Sequence, residues 1–227
     1  MEVLLLNGSP RAPVSHSKEL ARMFQEACPL PGKYRAISSS NHKELCQLAG
    51  KASHLLLVFP LYVDGIPATL LEFLKALERE PPREKPTISL LINCGFLEPE
   101  QNDTAVEILR LFCEQAGYPF GSVLKVASGE AILSTPFRFL VQRKVKRFAR
   151  AVALGGTLNP AGDYAPSKRG FPAGFPLLLD SVWRQKRNHP GTDGLAGNRG
   201  RQTPLTGQAK KLSAQAETVA CADSLFM

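Results

Sequence analysis

No two of the five cysteines in this 227-residue chain are spaced as C-x-x-C. Cys28, Cys46, Cys94, Cys113 and Cys221 are odd in number and scattered, which argues against a disulfide framework and against a zinc site. No metal is expected. Apolar residues nowhere run for the ~20 positions that a membrane span requires. The first apolar run, residues 3–6, is too short for a secretory signal, and Glu2 stands where such a signal is basic. A cytoplasmic protein without a membrane span is the expectation. Two phosphate-binding fingerprints are also missing, the G-x-x-x-x-G-K-[ST] of a P-loop and the G-x-G-x-x-G of a dinucleotide fold. Aromatic residues are few, at 7%, and Phe226 is the only one after residue 188.

What is present is globular: 44% hydrophobic and 21% charged residues, in a length that suits one ordinary domain. The formal net charge of +8 is unevenly spread. Residues 138–150 hold six Lys/Arg and no acid, and residues 184–227 carry +4, so the rest of the chain stands at −2. A nucleic-acid binder spreads a basic face across its fold, so nucleic acid is not an expected partner. The domain is read as residues 1–187, and 188–227 as a disordered or loosely attached tail with a short helix at about 208–220.

Strand and helix patterns alternate along the domain. Strands are expected at 3–7, 34–37, 54–61, 87–94 and 123–127. Helices are expected at about 17–27, 42–49 (capped by Asn41), 67–77, 104–117 and 137–154. The 67–77 helix has apolar Leu70, Leu71, Leu74 and Leu77 on one side, and in the last helix Phe137, Val141, Val145, Phe148 and Val152 recur at helical spacing with the basic residues opposite. The run His54-Leu-Leu-Leu-Val-Phe-Pro-Leu61 is apolar throughout, as in a parallel strand buried on both faces. Five strands interleaved with helices make an α/β fold with a doubly wound parallel sheet. Its ligand belongs beyond the C-terminal strand ends.

Three loops meet at that edge. The first, Asn7-Gly-Ser-Pro-Arg11 continuing through Ser15-His16-Ser17, delivers hydroxyls, backbone N–H groups and the Arg11 cation to a helix N-terminus. That is an anion cradle. Ser9, Ser15, His16 and Ser17 without a lysine suit a monophosphate ester better than a magnesium triphosphate; an ordinary capped turn is the plainer reading. The second loop, Pro60-Leu61-Tyr62-Val63-Asp64-Gly65, offers Tyr62 to a flat ring and an Asp64-Gly65 turn that aims amides inward. Tyr62 packed on its own loop is the alternative. In the third, Cys94-Gly95-Phe96 through Gln101-Asn102, Gly95 lets a backbone approach a ligand closely. Gln101 and Asn102 offer amides to a heterocycle edge, or Asn102 caps the next helix.

Taken in order, the three loops resemble the flavodoxin-like NAD(P)H-dependent oxidoreductases of the FMN reductase type, over about residues 1–156. The resemblance implies a five-stranded sheet of order 2-1-3-4-5, with FMN as cofactor and NAD(P)H as cosubstrate. It implies that Ser9, Arg11, Ser15 and Ser17 lie on the phosphate side. Pro60, Leu61, Tyr62, Val63, Asp64, Cys94, Gly95, Phe96 and Gln101 would edge the isoalloxazine ring. The sequence departs from the common pattern at His16, where Asn is usual, and at residues 37–41, which lack a cysteine-rich stretch. A third departure is Ser128-Gly-Glu130, where a Gly-rich turn is common. The implied reaction is hydride transfer through the flavin to a small-molecule or quinone-like acceptor, with no catalytic side chain needed. The resemblance also allows a homodimer, since flavin sites of this type are often completed by a second subunit. Two other readings stay open: a non-catalytic electron carrier or binding module, and an anionic lipid or nucleic-acid binder acting through helix 138–150.

Overall fold

The computed structural model describes residues 1–155, except Pro13 and the side chain of Glu130. The expectations for a tail and its short helix lie outside the described residues. Five strands, β1 (Val3–Asn7), β2 (Gly32–Ala36), β3 (His54–Pro60), β4 (Thr87–Asn93) and β5 (Phe120–Val126), form one sheet in the order β2-β1-β3-β4-β5. Every pairing is parallel. This is the expected doubly wound topology, with the sequence order reversing next to β1.

The side chains of the central strands alternate between two cores, one on each face of the sheet. Leu4 and Leu6 of β1 and Leu55, Leu57 and Phe59 of β3 enter one core; Val3, Leu5, Leu56 and Val58 enter the other. Burial on both faces is why β3 reads as an unbroken apolar run. Helices α2 (His42–Ala49), α3 (Ala68–Arg79) and α4 (Asp103–Ala116) cover the first core. Helix α1 (His16–Ala27) and the long helix Arg138–Ala153 cover the second. Between α4 and that long helix lies a single turn, α5 (Gly129–Ile132), so the long helix is α6. Phe24 of α1 meets Phe148 of α6 edge to face at 5.7 Å, a contact that contributes about 1 kcal/mol beyond its buried area.

Several expectations need correcting. Leu71 is 41% exposed, because it lies a helical step away from the Leu70–Leu74–Leu77 stripe, and Phe73 is buried instead. Asn41 and Asn102 occupy N-cap positions, yet neither side chain bonds the helix it precedes. Asn41 is engaged with Ser38 N and Ala36 O, which closes the loop after β2. Strand β5 begins at Phe120 rather than 123, because a register irregularity at Gly121–Ser122 hides the period. There Ser122 N bonds Ser89 Oγ at 3.2 Å.

Candidate functional site

The first loop is organised by Asn7, the last residue of β1, which is fully buried. Its Oδ1 accepts Ser9 N at 2.9 Å, and its Nδ2 donates to Tyr34 OH at 2.9 Å and to Ser15 Oγ at 3.3 Å. Ser15 is the N-cap of α1, and its Oγ also accepts Lys18 N at 3.2 Å. Ser9 Oγ accepts Arg11 N at 3.2 Å. A hydroxyl oxygen that already accepts an N–H keeps its own proton to donate. Ser9 and Ser15 therefore both offer O–H donors beside the positive end of α1. Ser17 differs, since its Oγ is buried and donates to Asn93 Oδ1 at 3.0 Å, tying α1 to the end of β4.

The backbone of this loop approaches its neighbours closely at Gly8. A Cβ there would meet Leu70 Cβ at 3.2 Å and Phe59 Cβ at 3.4 Å. A larger residue at this position would push the loop off β3 and α3.

These residues line a cavity of about 620 Å³, within the usual size of a small-molecule site. It brings together Ser9, Arg11, Ser15, His16 and Ser17 from the first loop with Pro60, Leu61 and Tyr62 from the second. One acid, Glu19, also lines it, and Arg138 of α6 pairs with that carboxylate at 2.8 Å. The Glu19 charge is thereby opposed by a cation, leaving the anion cradle electrostatically intact.

Val63 and Asp64 lie just beyond, at the tip of a two-residue turn. Tyr62 and Gly65 bond each other in both directions at 3.1 Å, and φ is +49° at Val63 and +56° at Asp64. The sequence led us to expect the turn at Asp64-Gly65; the left-handed conformations instead fall on Val63 and Asp64. A β-branched residue in this region costs on the order of 1–2 kcal/mol. Tyr62 and Val63 are 58% and 87% exposed, so this strained tip presents apolar surface at the mouth of the cavity.

The third loop stands on the same sheet edge but outside the cavity lining. Cys94 is buried, and its thiol faces its own loop: Asn102 Nδ2 donates to Sγ at 3.2 Å. Burial pushes the Cys94 thiol above its ordinary range, so it stays protonated and unreactive. Asn102, expected to cap α4, instead braces this loop through Sγ and Pro99 O. Gly95 faces open space, Phe96 is half-exposed, and Gln101 is exposed on a 3-10 turn. Ser128 N bonds Phe96 O at 2.6 Å and Gly129 N bonds Cys94 O at 2.8 Å, fastening the loop to the end of β5.

Sequence reading overlooked Asn93 and Tyr34. Asn93 is buried in the cavity wall as the last residue of β4, just as Asn7 ends β1. A polar amide closing an otherwise apolar strand was the available signal in both cases.

No sequence profile of a known protein family matches the chain, and no curated protein matches it either. Solved structures do. The NAD(P)H:quinone oxidoreductase from Methanothermobacter marburgensis superimposes with a TM-score of 0.54 at 15% identity, over 67% of this chain and 96% of that one. The FMN-dependent NADH-azoreductase from Bacillus anthracis str. Ames Ancestor, in complex with FMN, gives 0.51 at 13% identity, over 67% and 100%. The flavodoxin of Streptococcus pneumonia TIGR4 gives 0.51 at 14% identity, over 68% and 99%. Together with the strand order 2-1-3-4-5, these likenesses identify the chain as a flavodoxin-like fold.

Proposed function

We propose that the protein is an FMN-binding, NAD(P)H-dependent oxidoreductase acting on a small, quinone-like acceptor. The observation that carries this reading is the pair of hydroxyls, Ser9 and Ser15, that line the cavity at the α1 N-terminus with Arg11 beside them. The donor set fits a phosphate monoester: two O–H groups, a guanidinium and a helix end, with the single lining acid already paired. Similar proteins named as a quinone oxidoreductase and an azoreductase add support at the level of fold.

In this reading Ser9, Arg11 and Ser15 hold the FMN phosphate. His16 and Ser17 complete the wall around it, Ser17 by fixing Asn93. Pro60, Leu61 and Tyr62 border the ring, with the Val63–Asp64 tip over it and Gly95 and Phe96 on its outer side. Cys94 and Gln101 act through the shape of their loop. Bound FMN supplies the hydride chemistry between a reduced nicotinamide and the acceptor. The chain's own residues bind, orient and shield, and none is required to move a proton. Tyr62 and Val63, exposed at the mouth, exclude water once a ring lies beneath them. The unpaired thiols of Cys28, Cys46, Cys94 and Cys113 support a reducing, cytoplasmic setting.

The test is the visible spectrum of the purified full chain. It should carry one flavin per chain, released as FMN on heating, and excess NADPH should bleach the colour without air. Retained flavin that NADPH leaves oxidised would make the protein a carrier instead.

A further inference from the structure

The cavity that holds the anion cradle has one lining group that the cradle does not use. Asn93, the last residue of β4, is only 4% exposed, yet it lines the cavity. Its backbone oxygen accepts Leu61 N at 2.8 Å, at the root of the second loop. Its Oδ1 accepts the Ser17 hydroxyl at 3.0 Å, in the first turn of α1. Its Nδ2 donates to no atom among the described residues. The amide oxygen is drawn to the positive end of α1, which turns the N–H pair towards the cavity. Behind it, a Cβ at Gly129 would come within 2.9 Å of Asn93 Cβ, so the side chain is held close from that side. The buried side-chain atoms without a partner, His42 Nε2, His54 Nδ1 and Asn102 Oδ1, belong to residues outside the cavity wall. Asn93 Nδ2 differs from them in reaching open space. A donor withdrawn from bulk water and left without an acceptor is costly, and an acceptor on a ligand removes that cost.

Position says which acceptor. Through Ser17, Asn93 touches the anion end of the cavity, and through Leu61 it touches the apolar end formed by Pro60, Leu61 and Tyr62. It therefore stands between a phosphate and a ring. In a monophosphate ester the linker occupies that place, and N–H donors there call for linker oxygens rather than bare methylenes. We infer that Asn93 is a specificity residue of this cavity, donating from Nδ2 to a hydroxyl oxygen on the chain that joins phosphate to ring. The site thereby selects a polyol linker over a bare one. This inference rests on the flavin reading of the cavity, in which that chain is the ribityl group of FMN.

The experiment titrates the flavin-stripped full chain with FMN, with riboflavin, which lacks the phosphate, and with lumiflavin, which lacks the ribityl chain as well. Asn93→Ala should weaken FMN and riboflavin about tenfold each, and lumiflavin by less than about twofold. Ser9→Ala, by contrast, should weaken FMN alone. Ser17→Ala breaks the same bond to Asn93 but keeps Nδ2, so it isolates a merely structural role. It should retain most of the preference for riboflavin over lumiflavin that Asn93→Ala loses. Equal losses on riboflavin and lumiflavin in Asn93→Ala, or the same pattern in Ser17→Ala, overturn the inference. If the parent chain takes up none of these flavins, the flavin reading fails, and calorimetry with ribitol 5-phosphate against inorganic phosphate decides the role of Asn93. A preference for the ester that Asn93→Ala abolishes leaves that role standing; no preference overturns it too.

Discussion

Asn7 does more than any other single side chain to shape the site. One buried amide positions Ser9, Ser15 and Tyr34, which belong to the loop, the α1 cap and the neighbouring strand. Replacing it by leucine removes three hydrogen bonds and leaves Ser9 N without its acceptor. The cost should be about 2–3 kcal/mol, read as a lower urea midpoint, with a larger proportional loss of flavin affinity. Asn7→Asp should keep the bond from Ser9 N and lose the two that Nδ2 donates. Away from the site, Cys113 and Tyr118 make a second residue-scale test. Burial pushes the Cys113 thiol from 9.0 up to about 12 and the Tyr118 phenol from 10.0 up to about 12. Both keep their protons in the folded protein at pH values where the unfolded chain has already released them. Stability should therefore fall as pH rises past about 9 and go on falling towards about 12. Urea midpoints across that range should show the slope, and Cys113→Val should flatten it.

At the scale of elements, the site depends on where strands end and helices begin. Helix α1 starts on Ser15, whose hydroxyl serves at once as a helix cap and as a proposed phosphate donor. Ser15→Ala should cost about 1 kcal/mol of stability from the lost cap. It should also weaken FMN binding, whereas Ser15→Thr should restore both. A variant that loses the stability but binds FMN unchanged would confine Ser15 to capping. The ends of β4 and β5 are interlocked in the same way. A Cβ at Gly129 would come within 2.9 Å of Asn93 Cβ, so this turn needs glycine to keep Asn93 in reach of Ser17. Helix α6 reaches the cavity wall through Arg138, and its basic exposed face is opposite the buried stripe of Val141, Val145, Phe148 and Val152.

Over the whole molecule, the fold was legible because its signals are additive and local. Apolar strands, helical stripes and their alternation each state the same α/β answer, and Asn-Gly-Ser-Pro-Arg marks the first strand–helix junction. Less legible was anything decided by contacts between distant segments. Asn102 sits where a cap belongs, yet it braces Cys94 because the 3-10 turn brings that thiol to 3.2 Å. Leu71 satisfies an apolar count but not the helical angle. The turn at Val63–Asp64 defies local propensity, which assigns a left-handed conformation to Gly65 before it assigns one to valine. Tyr34 could not be read as a site residue at all, since only the parallel pairing of β2 with β1 carries it to Asn7. Conflicts of local preference with the fold gather at this sheet edge, as expected where a ligand binds.

The central claim is that this edge holds a flavin through its first loop. Its most direct test is titration of the purified, flavin-stripped full chain with FMN, followed by flavin fluorescence and by visible absorbance. The account predicts saturation at one FMN per chain and a clear loss of affinity in Ser9→Ala and Ser15→Ala. A folded chain that comes off the column colourless and takes up no added FMN would contradict it.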